Sequence, residues 1–516
     1  MSRRTLPFIH RRAIVAGVAA LGVVAALGLS ACGSGGSVAA GAAADATLKW
    51  ATTMPTHWDP VVGGAGAQFR ILSLVYASVT NIDAKGNPVP GLAESWTYNQ
   101  TGTEVTFHIR PDLTFSDGTP VDAAAVKDGI ERGKAQQNSA LVQDLDPIDT
   151  VTTSGDDDVV VHLKQPDYQI PLLFGERVLQ IASPKAAADP TKLDQAPVGA
   201  GPFVVTQLIP GQKVRLTKNP NYWDAKDIHI DNVEVDQAPD AATVVAGLKT
   251  GAYNFATLDP SQASAAKAAG LEVFVQPGFN AEDISINVNK APFQGNPTLV
   301  DAIRYAINRQ QFVDQLTFGY GEATDQPFPP GYIAYDPQSA NRYPYDPTKA
   351  KQLLAQSGYQ PNQLKLNLVI SAANPEAEII QSQLAAIGIK VTITVNKNWA
   401  TPYFGKELAF SLYGTTGRDA PVETLTAHFG PQGVLNLSSP YEPAGFEAAV
   451  AKAEATPLDS PDYAKNIQAA TRIGLQSQAL IFTYVDPNLF AKSKSISALP
   501  ANPGHVDWTG VTINAK

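Results

Sequence analysis

The sequence has a single cysteine, Cys32, and that scarcity removes several kinds of chemistry at once. One cysteine forms no intrachain disulfide, no Cys-rich zinc site and no C-x-x-C redox pair. The seven histidines (10, 57, 108, 162, 229, 428 and 505) are scattered and never fall into H-E-x-x-H, so no resident metal or other cofactor is expected. A G-x-S-x-G nucleophile motif is also missing, and His428 with Glu423 reads as a partly solvated helix face rather than an acid–base pair. An enzyme is therefore not expected. Positive charge is in deficit: 38 Lys and Arg stand against 48 Asp and Glu, for a net charge of -10. A body this acidic is a poor match for the phosphates of DNA or RNA.

Long apolar runs are scarce too, and the one that exists is at the start. Residues 1–12 carry four Arg and no acid, and residues 13–29, AIVAGVAALGVVAALGL, are continuously apolar. A small-residue stretch, Ser30-Ala31-Cys32-Gly33, follows. A basic segment, a short apolar segment and a small-residue cleavage site read as an export signal over 1–31, since the run is short for a membrane span. Leu29-Ser30-Ala31-Cys32 resembles the lipobox of bacterial lipoproteins. That resemblance implies acylation of Cys32 after cleavage, which holds the body at the outer face of the cytoplasmic membrane. Ser2-Arg3-Arg4 is loosely similar to a twin-arginine signal, which leaves the export route open. Residues 32–47 are small and fit a flexible tether.

The remaining chain is too long for one core, so two or three folded units are expected. Residues 103–110 alternate, with Val105, Phe107 and Ile109 on one side; 156–166 alternate likewise, and both read as half-buried strands. Helical spacing predicts helices over 67–79, near Asp122 and over 298–309. Strands and helices then alternate across 228–395, which argues for α/β lobes around sheets. Helices are predicted at 422–430, 442–455 and 461–479, and a late strand at 480–485.

Several stretches carry a family resemblance by their order and spacing. They are Gly91-Leu92-Ala93-Glu94-Ser95-Trp96, then Val105 to Arg110 with Phe115-Ser116-Asp117-Gly118, and Pro197 to Phe203. Lys218-Asn219-Pro220-Asn221-Tyr222-Trp223, Val300 to Arg309, and Tyr345-Asp346-Pro347 with Lys349 to Leu354 follow. Together they resemble the dipeptide- and oligopeptide-binding proteins of ABC importers, solute-binding family 5. The resemblance covers roughly 48–500. It implies an α/β fold of the periplasmic-binding-protein type II, two lobes with hinge strands plus an inserted α+β domain. Carried over, lobe one is 48–78, 200–288 and 482–516, the insert 79–199, and lobe two 289–481. The motif residues themselves (Trp96, Phe107, Phe203, Trp223, Gly199, Gly201, Arg304) read as structural.

The implied function is a monomeric receptor that captures a peptide or similar solute between its lobes and delivers it to ABC permease subunits. An oligosaccharide, an opine-like compound or another small organic solute is the alternative, as is a signalling or chaperone-like role without transport. The implied pocket falls in 396–420. The family has an aromatic at the position of Trp399 and a small-residue loop after the strand 408–413. Peptide binders carry an Asp in that loop directly before Pro. Here Gly417-Arg418-Asp419-Ala420-Pro421 places one residue between Asp419 and Pro421, and Arg418 beside it can neutralise it. Tyr413 and Asn436 are further candidates. His57 and Trp58 lie on the early loop that approaches the cleft in this family, and Arg418 suits a carboxylate or phosphate.

Overall fold

Two mixed sheets organise the chain in a computed structural model that describes residues 46–63, 68–136, 139–175, 178–276, 278–416, 420–501 and 506–514. The first sheet has seven strands in the spatial order Glu272–Gln276, Asn488–Lys492, Phe255–Thr257, Thr47–Thr52, Asn232–Gln237, Lys213–Lys218, Phe203–Ile209. The second has six, in the order Glu322–Ala323, Leu480–Val485, Asn280–Ile286, Phe410–Thr416, Lys365–Ile370, Lys390–Val395. Lys365–Ile370 and Lys390–Val395 pair in parallel, which requires a crossover; the helix Pro375–Ala386 supplies it. Leu480–Val485 and Asn488–Lys492 are buried at every position. Both faces of those strands are covered, so Leu480–Val485, LIFTYV, reads as a near-continuous apolar run rather than an alternation.

Helix starts follow local chemistry. Asp122 accepts a bond from the Ala125 N–H, Asp346 from Lys349 and Asn374 from Ala377, so each side chain satisfies a donor that the first turn leaves open. Pro347 and Pro375 then occupy the first helical position, where a missing N–H costs nothing.

Residues 79–199 carry their own four-stranded antiparallel sheet, ordered Ala93–Tyr98, Glu104–Ile109, Asp158–Leu163, Ile148–Ser154. The alternation read from sequence is the observed one: Val105, Phe107 and Ile109 are fully buried. They pack with Val126 and Ile130 of the helix Ala123–Ala135.

Three expectations need correction. The helix expected over 67–79 stops at Phe69–Leu72. Beyond it, the Leu74 and Val75 carbonyls accept from the Phe203 and Gly201 N–H groups at 2.9 and 2.8 Å, so they are taken by a different segment. A Cβ on Gly199 or Gly201 would lie 2.2 or 2.6 Å from the Val75 carbonyl oxygen, which is why glycine stands there. The helix expected over 298–309 is two: Pro297–Ala306 and Arg309–Leu316. Ile307 is extended, and Asn308 caps the second helix through the Gln311 N–H. Lobe boundaries also move. The strand Asn280–Ile286, expected in lobe one, pairs on both edges within the second sheet, and Leu480–Val485 belongs there to its last residue. The chain therefore crosses between sheets after Gln276 and again at 486–487, not at 288 and 481. Alternation marks a strand but does not say which sheet will hold it.

The structural reading of the motif residues agrees with their surroundings. Phe107 and Phe203 are buried, while Trp96 and Trp223 are partly buried against the insert's core. The Arg110 guanidinium lies 4.5 Å from the Trp223 ring centre. Arg304 is buried and spends its donors on Asp301, Tyr343, Gln478 and the Ser477 and Leu480 carbonyls.

Candidate solute-binding cleft

A cavity of about 1030 Å³ lies between the insert and the second lobe. One wall is 139–147 with Asp167, Gln169 and Leu173; the other includes Phe404, Tyr413, Glu423 and Glu454. A second cavity of about 330 Å³ is lined only by the first lobe and the insert, including Tyr76, Trp223 and Trp508. A ligand there would touch nothing on the second lobe. Only a ligand that contacts both halves shifts the balance between open and closed, which favours the larger cavity; a third, of about 590 Å³ and lined by Gln143, Gln165, Phe446 and Glu454, lies on the same boundary.

The second-lobe wall is an aromatic stack. Tyr413, on the strand Phe410–Thr416, lines the cavity. Behind it lies Trp399, with ring centres 5.5 Å apart and planes at 17°. Tyr403 stacks on both, 4.4 Å from Trp399 and 5.2 Å from Tyr413. Polar contacts fix the stack from below. The Trp399 Nε1–H donates to Ser411 Oγ at 2.8 Å, and Ser411 donates to the Val369 carbonyl at 2.6 Å. The Tyr403 hydroxyl is 3.0 Å from Ser285 Oγ, and Ser285 donates to Asp283 at 2.7 Å. Phe404 also lines the cavity and is 42% exposed, so an apolar ring stands open to a ligand.

The opposite wall is acidic and touches the second lobe directly. The Tyr168 N–H donates to the Glu454 carbonyl at 2.8 Å, and the Tyr463 hydroxyl donates to Gln169 Oε1 at 2.8 Å. Asp167 accepts from the Gln169 N–H at 2.7 Å. Burial, then the nearby Glu454, pushes the Asp167 carboxyl up to about 8; burial pushes Glu454 up to about 7. Asp146, at the rim, is paired with Lys164 at 2.8 Å. Among the described residues, the cavity lining holds no Lys, Arg or His.

Where the chain crosses between sheets, a second acidic group gathers. The Asp486 N–H donates to the Asn280 carbonyl at 2.7 Å, tying the two crossing segments together. Burial, with Asp283 and Asp486 nearby, pushes Glu376 up to about 8, and it raises Glu282 beside the same acids. Asp486 is pushed up to about 6 by burial, against the opposing pull of Arg70 from the first lobe. Arg70 donates to Asn488 and sits 5.4 Å from the Phe490 ring centre.

The residues singled out from sequence divide sharply. Tyr413 faces the cavity. Trp399 does not: it backs Tyr413, 9% exposed. Trp58 is 1% exposed in the first lobe's core, and the Tyr76 hydroxyl donates to its carbonyl. His57 lies outside the cavity lining, with Nδ1 3.1 Å from Asp194. Asn436 is buried and uses its amide on the Gly430 and Tyr441 carbonyls and the Ser438 N–H, so it fixes a loop. Trp58, Trp399 and Asn436 are corrected because they are buried within the fold, and His57 because it lies outside the cavity lining. Arg418, Asp419 and Cys32 lie outside the described residues.

Sequence reasoning missed Asp167, Gln169, Phe404 and Glu454. Tyr403-Phe404 fell inside the 396–420 window, and two adjacent aromatics were a usable signal. Asp167 follows Pro166 and reads as an ordinary turn residue; only the contact with the second lobe distinguishes it.

Two sheet-based lobes, two crossing segments, an insert and a cavity walled from both sides define a two-lobed binding protein. Residues 87–434 match the model of the bacterial extracellular solute-binding proteins, family 5 (middle region), and the chain belongs to that family. It is 30% identical over 394 residues to the glutathione-binding protein GsiB of Escherichia coli, covering 75% of this chain and 74% of that one. It is 30% identical over 352 residues to heme-binding protein A of Haemophilus influenzae, covering 60% of this chain and 62% of that one. The match thus spans less than two thirds of that relative. Among solved structures, HbpA2 of Haemophilus parasuis superposes with a TM-score of 0.76 at 26% identity, covering 91% of this chain and 100% of that one. No helix among the described residues is long and apolar enough to cross a membrane.

Proposed function

We propose that this protein is the receptor of an ABC importer: it encloses a small peptide or similar solute between the insert and the second lobe and hands it, unchanged, to permease subunits in the membrane. One observation carries the reading. The cavity is walled on one side by the insert and on the other by the second lobe, so an occupant in contact with both walls favours closure. The aromatic wall of Tyr413 and Phe404 gives a ligand apolar surface and a flat face. A relative named for glutathione, itself a small peptide, supports the solute class. The same reading includes export, acylation at Cys32 and residence on the outer face of the cytoplasmic membrane, as a monomer.

A thermal-shift screen of the full chain against di- to pentapeptides tests it, because a ligand that binds only the folded form raises the unfolding midpoint. A peptide that raises the midpoint, and is recovered intact by mass spectrometry, supports a receptor without turnover. Cleavage of the peptide, or a midpoint shift that survives Tyr413→Ala undiminished, contradicts it.

A further inference from the structure

The cleft's charge selects among solutes, and two unshared acids mark the place. Asp167 is 6% exposed and comes from the insert; Glu454 ends the second-lobe helix Phe446–Glu454. Both line the cavity, and the backbone bond from Tyr168 to the Glu454 carbonyl brings their segments together. Among the described residues, neither forms an ion pair with a Lys, Arg or His. Gln169 supplies a separate sign that something belongs here. It is 3% exposed, lines the cavity, and accepts from Tyr463 on Oε1, yet its Nε2 has no hydrogen-bond partner among the described residues. A buried amide N–H without an acceptor is costly, and a ligand carbonyl removes the cost.

We infer that the solute of this cleft is cationic, with its positive group between Asp167 and Glu454 and an adjacent carbonyl or other acceptor on Gln169 Nε2. This rests on the reading of the cavity as the solute site. A lysine- or arginine-bearing peptide satisfies all three groups. A free polyamine satisfies the two acids but leaves the Gln169 N–H unpaired. An anionic solute meets two carboxyls and no described cation. The raised titration of both acids agrees with this: burial without a cation favours the protonated forms, with Glu454 adding to the effect on Asp167, and a bound cation releases the protons.

The test is calorimetric titration of the full chain at alkaline pH with lysyl-alanine, alanyl-alanine and glutamyl-alanine, which share a length and a backbone, and with spermidine. The expected result is lysyl-alanine binding at least about tenfold tighter than the other two dipeptides. Asp167→Asn and Glu454→Gln, which keep shape and remove charge, each abolish the preference without lowering the unfolding midpoint. Tyr413→Ala weakens all the dipeptides alike. Spermidine binding as tightly as lysyl-alanine supports the cationic class and overturns the part assigned to Gln169. Equal affinities, tighter glutamyl-alanine, a preference that survives both charge-removing variants, or no binding by either cationic solute overturns the inference. If dipeptides bind without charge preference and respond to Tyr413→Ala, the cleft reading stands and only its cation selectivity falls. If Tyr413→Ala changes nothing, the cleft reading falls as well.

Discussion

Trp399 stacks on the protein side of Tyr413, ring centres 5.5 Å apart, while Tyr413 itself faces the cavity. The tryptophan thus acts on a ligand only through the tyrosine. Tyr413→Ala is expected to weaken solute binding about tenfold, roughly 1.4 kcal/mol, by removing a preset flat surface. Trp399→Phe keeps a ring but leaves Ser411 without its donor, and is expected to cost about 1 kcal/mol of stability with a smaller effect on affinity. Calorimetry and thermal melts on the two variants check the contrast.

Asn436 is expected to matter to the fold and not to the ligand. Asn436→Ala leaves the Gly430 and Tyr441 carbonyls and the Ser438 N–H without their partner. About 2–3 kcal/mol of stability is expected to go, since buried groups are left unpaired. Denaturant unfolding measures the loss, and the affinity of the protein that remains folded is expected to be unchanged.

Affinity for a cationic solute is expected to depend on pH in a fixed direction. Asp167 and Glu454 are held at about 8 and about 7, so they lose negative charge as pH falls through that window. Tyr98 and Tyr463 also face Asp167, but burial raises their hydroxyls, so they stay neutral there. Binding of lysyl-alanine is therefore expected to tighten between pH of about 6 and about 8.5, and Asp167→Asn with Glu454→Gln to flatten the curve. Alanyl-alanine is expected to show no such slope.

Stability carries the opposite sign at the crossing segments. Glu376 is raised from 4.5 to about 8, so its carboxyl is favoured neutral in the folded state. The stability tied to that neutral form is full below the ordinary 4.5 and is lost as pH climbs toward 8. Glu376→Gln is expected to raise the melting midpoint at alkaline pH by roughly 2 °C and to change nothing near pH of about 4. Melts at the two pH values decide it.

Closure without ligand is expected to lean on Tyr463. Its hydroxyl bonds Gln169 across the boundary between insert and second lobe. Tyr463→Phe removes about 1 kcal/mol from the closed state and shifts the open–closed balance about fivefold. Small-angle scattering of the ligand-free protein is expected to show a larger mean radius for the variant.

The sequence was most legible where the signal was local. The strand around Val105, Phe107 and Ile109 followed from alternation, and the helix beginning near Asp122 from helical spacing. Arg304, Gly199 and Gly201 were read as structural and are so placed. Long-range pairing was not legible: Leu74 and Val75 leave the helical path because Phe203 and Gly201 take their carbonyls, and Asn280–Ile286 joins the sheet opposite to the one expected. At the cleft, Tyr413 was visible as an aromatic in a promising window. Trp58 and Trp399 are aromatic too but face inward, as does the Asn436 amide, and orientation is set by packing that a sequence does not display. Asp167 and Glu454 are 287 positions apart in the chain and are brought together only by the meeting of two bodies.

The most direct test of the receptor reading is a calorimetric titration of the full chain with a small peptide, run beside Tyr413→Ala. Saturable one-to-one binding that weakens about tenfold in the variant, measured on protein that remains folded, is the predicted result. Binding of equal strength in both proteins would contradict it, because the solute would then lie somewhere other than the cleft between insert and second lobe.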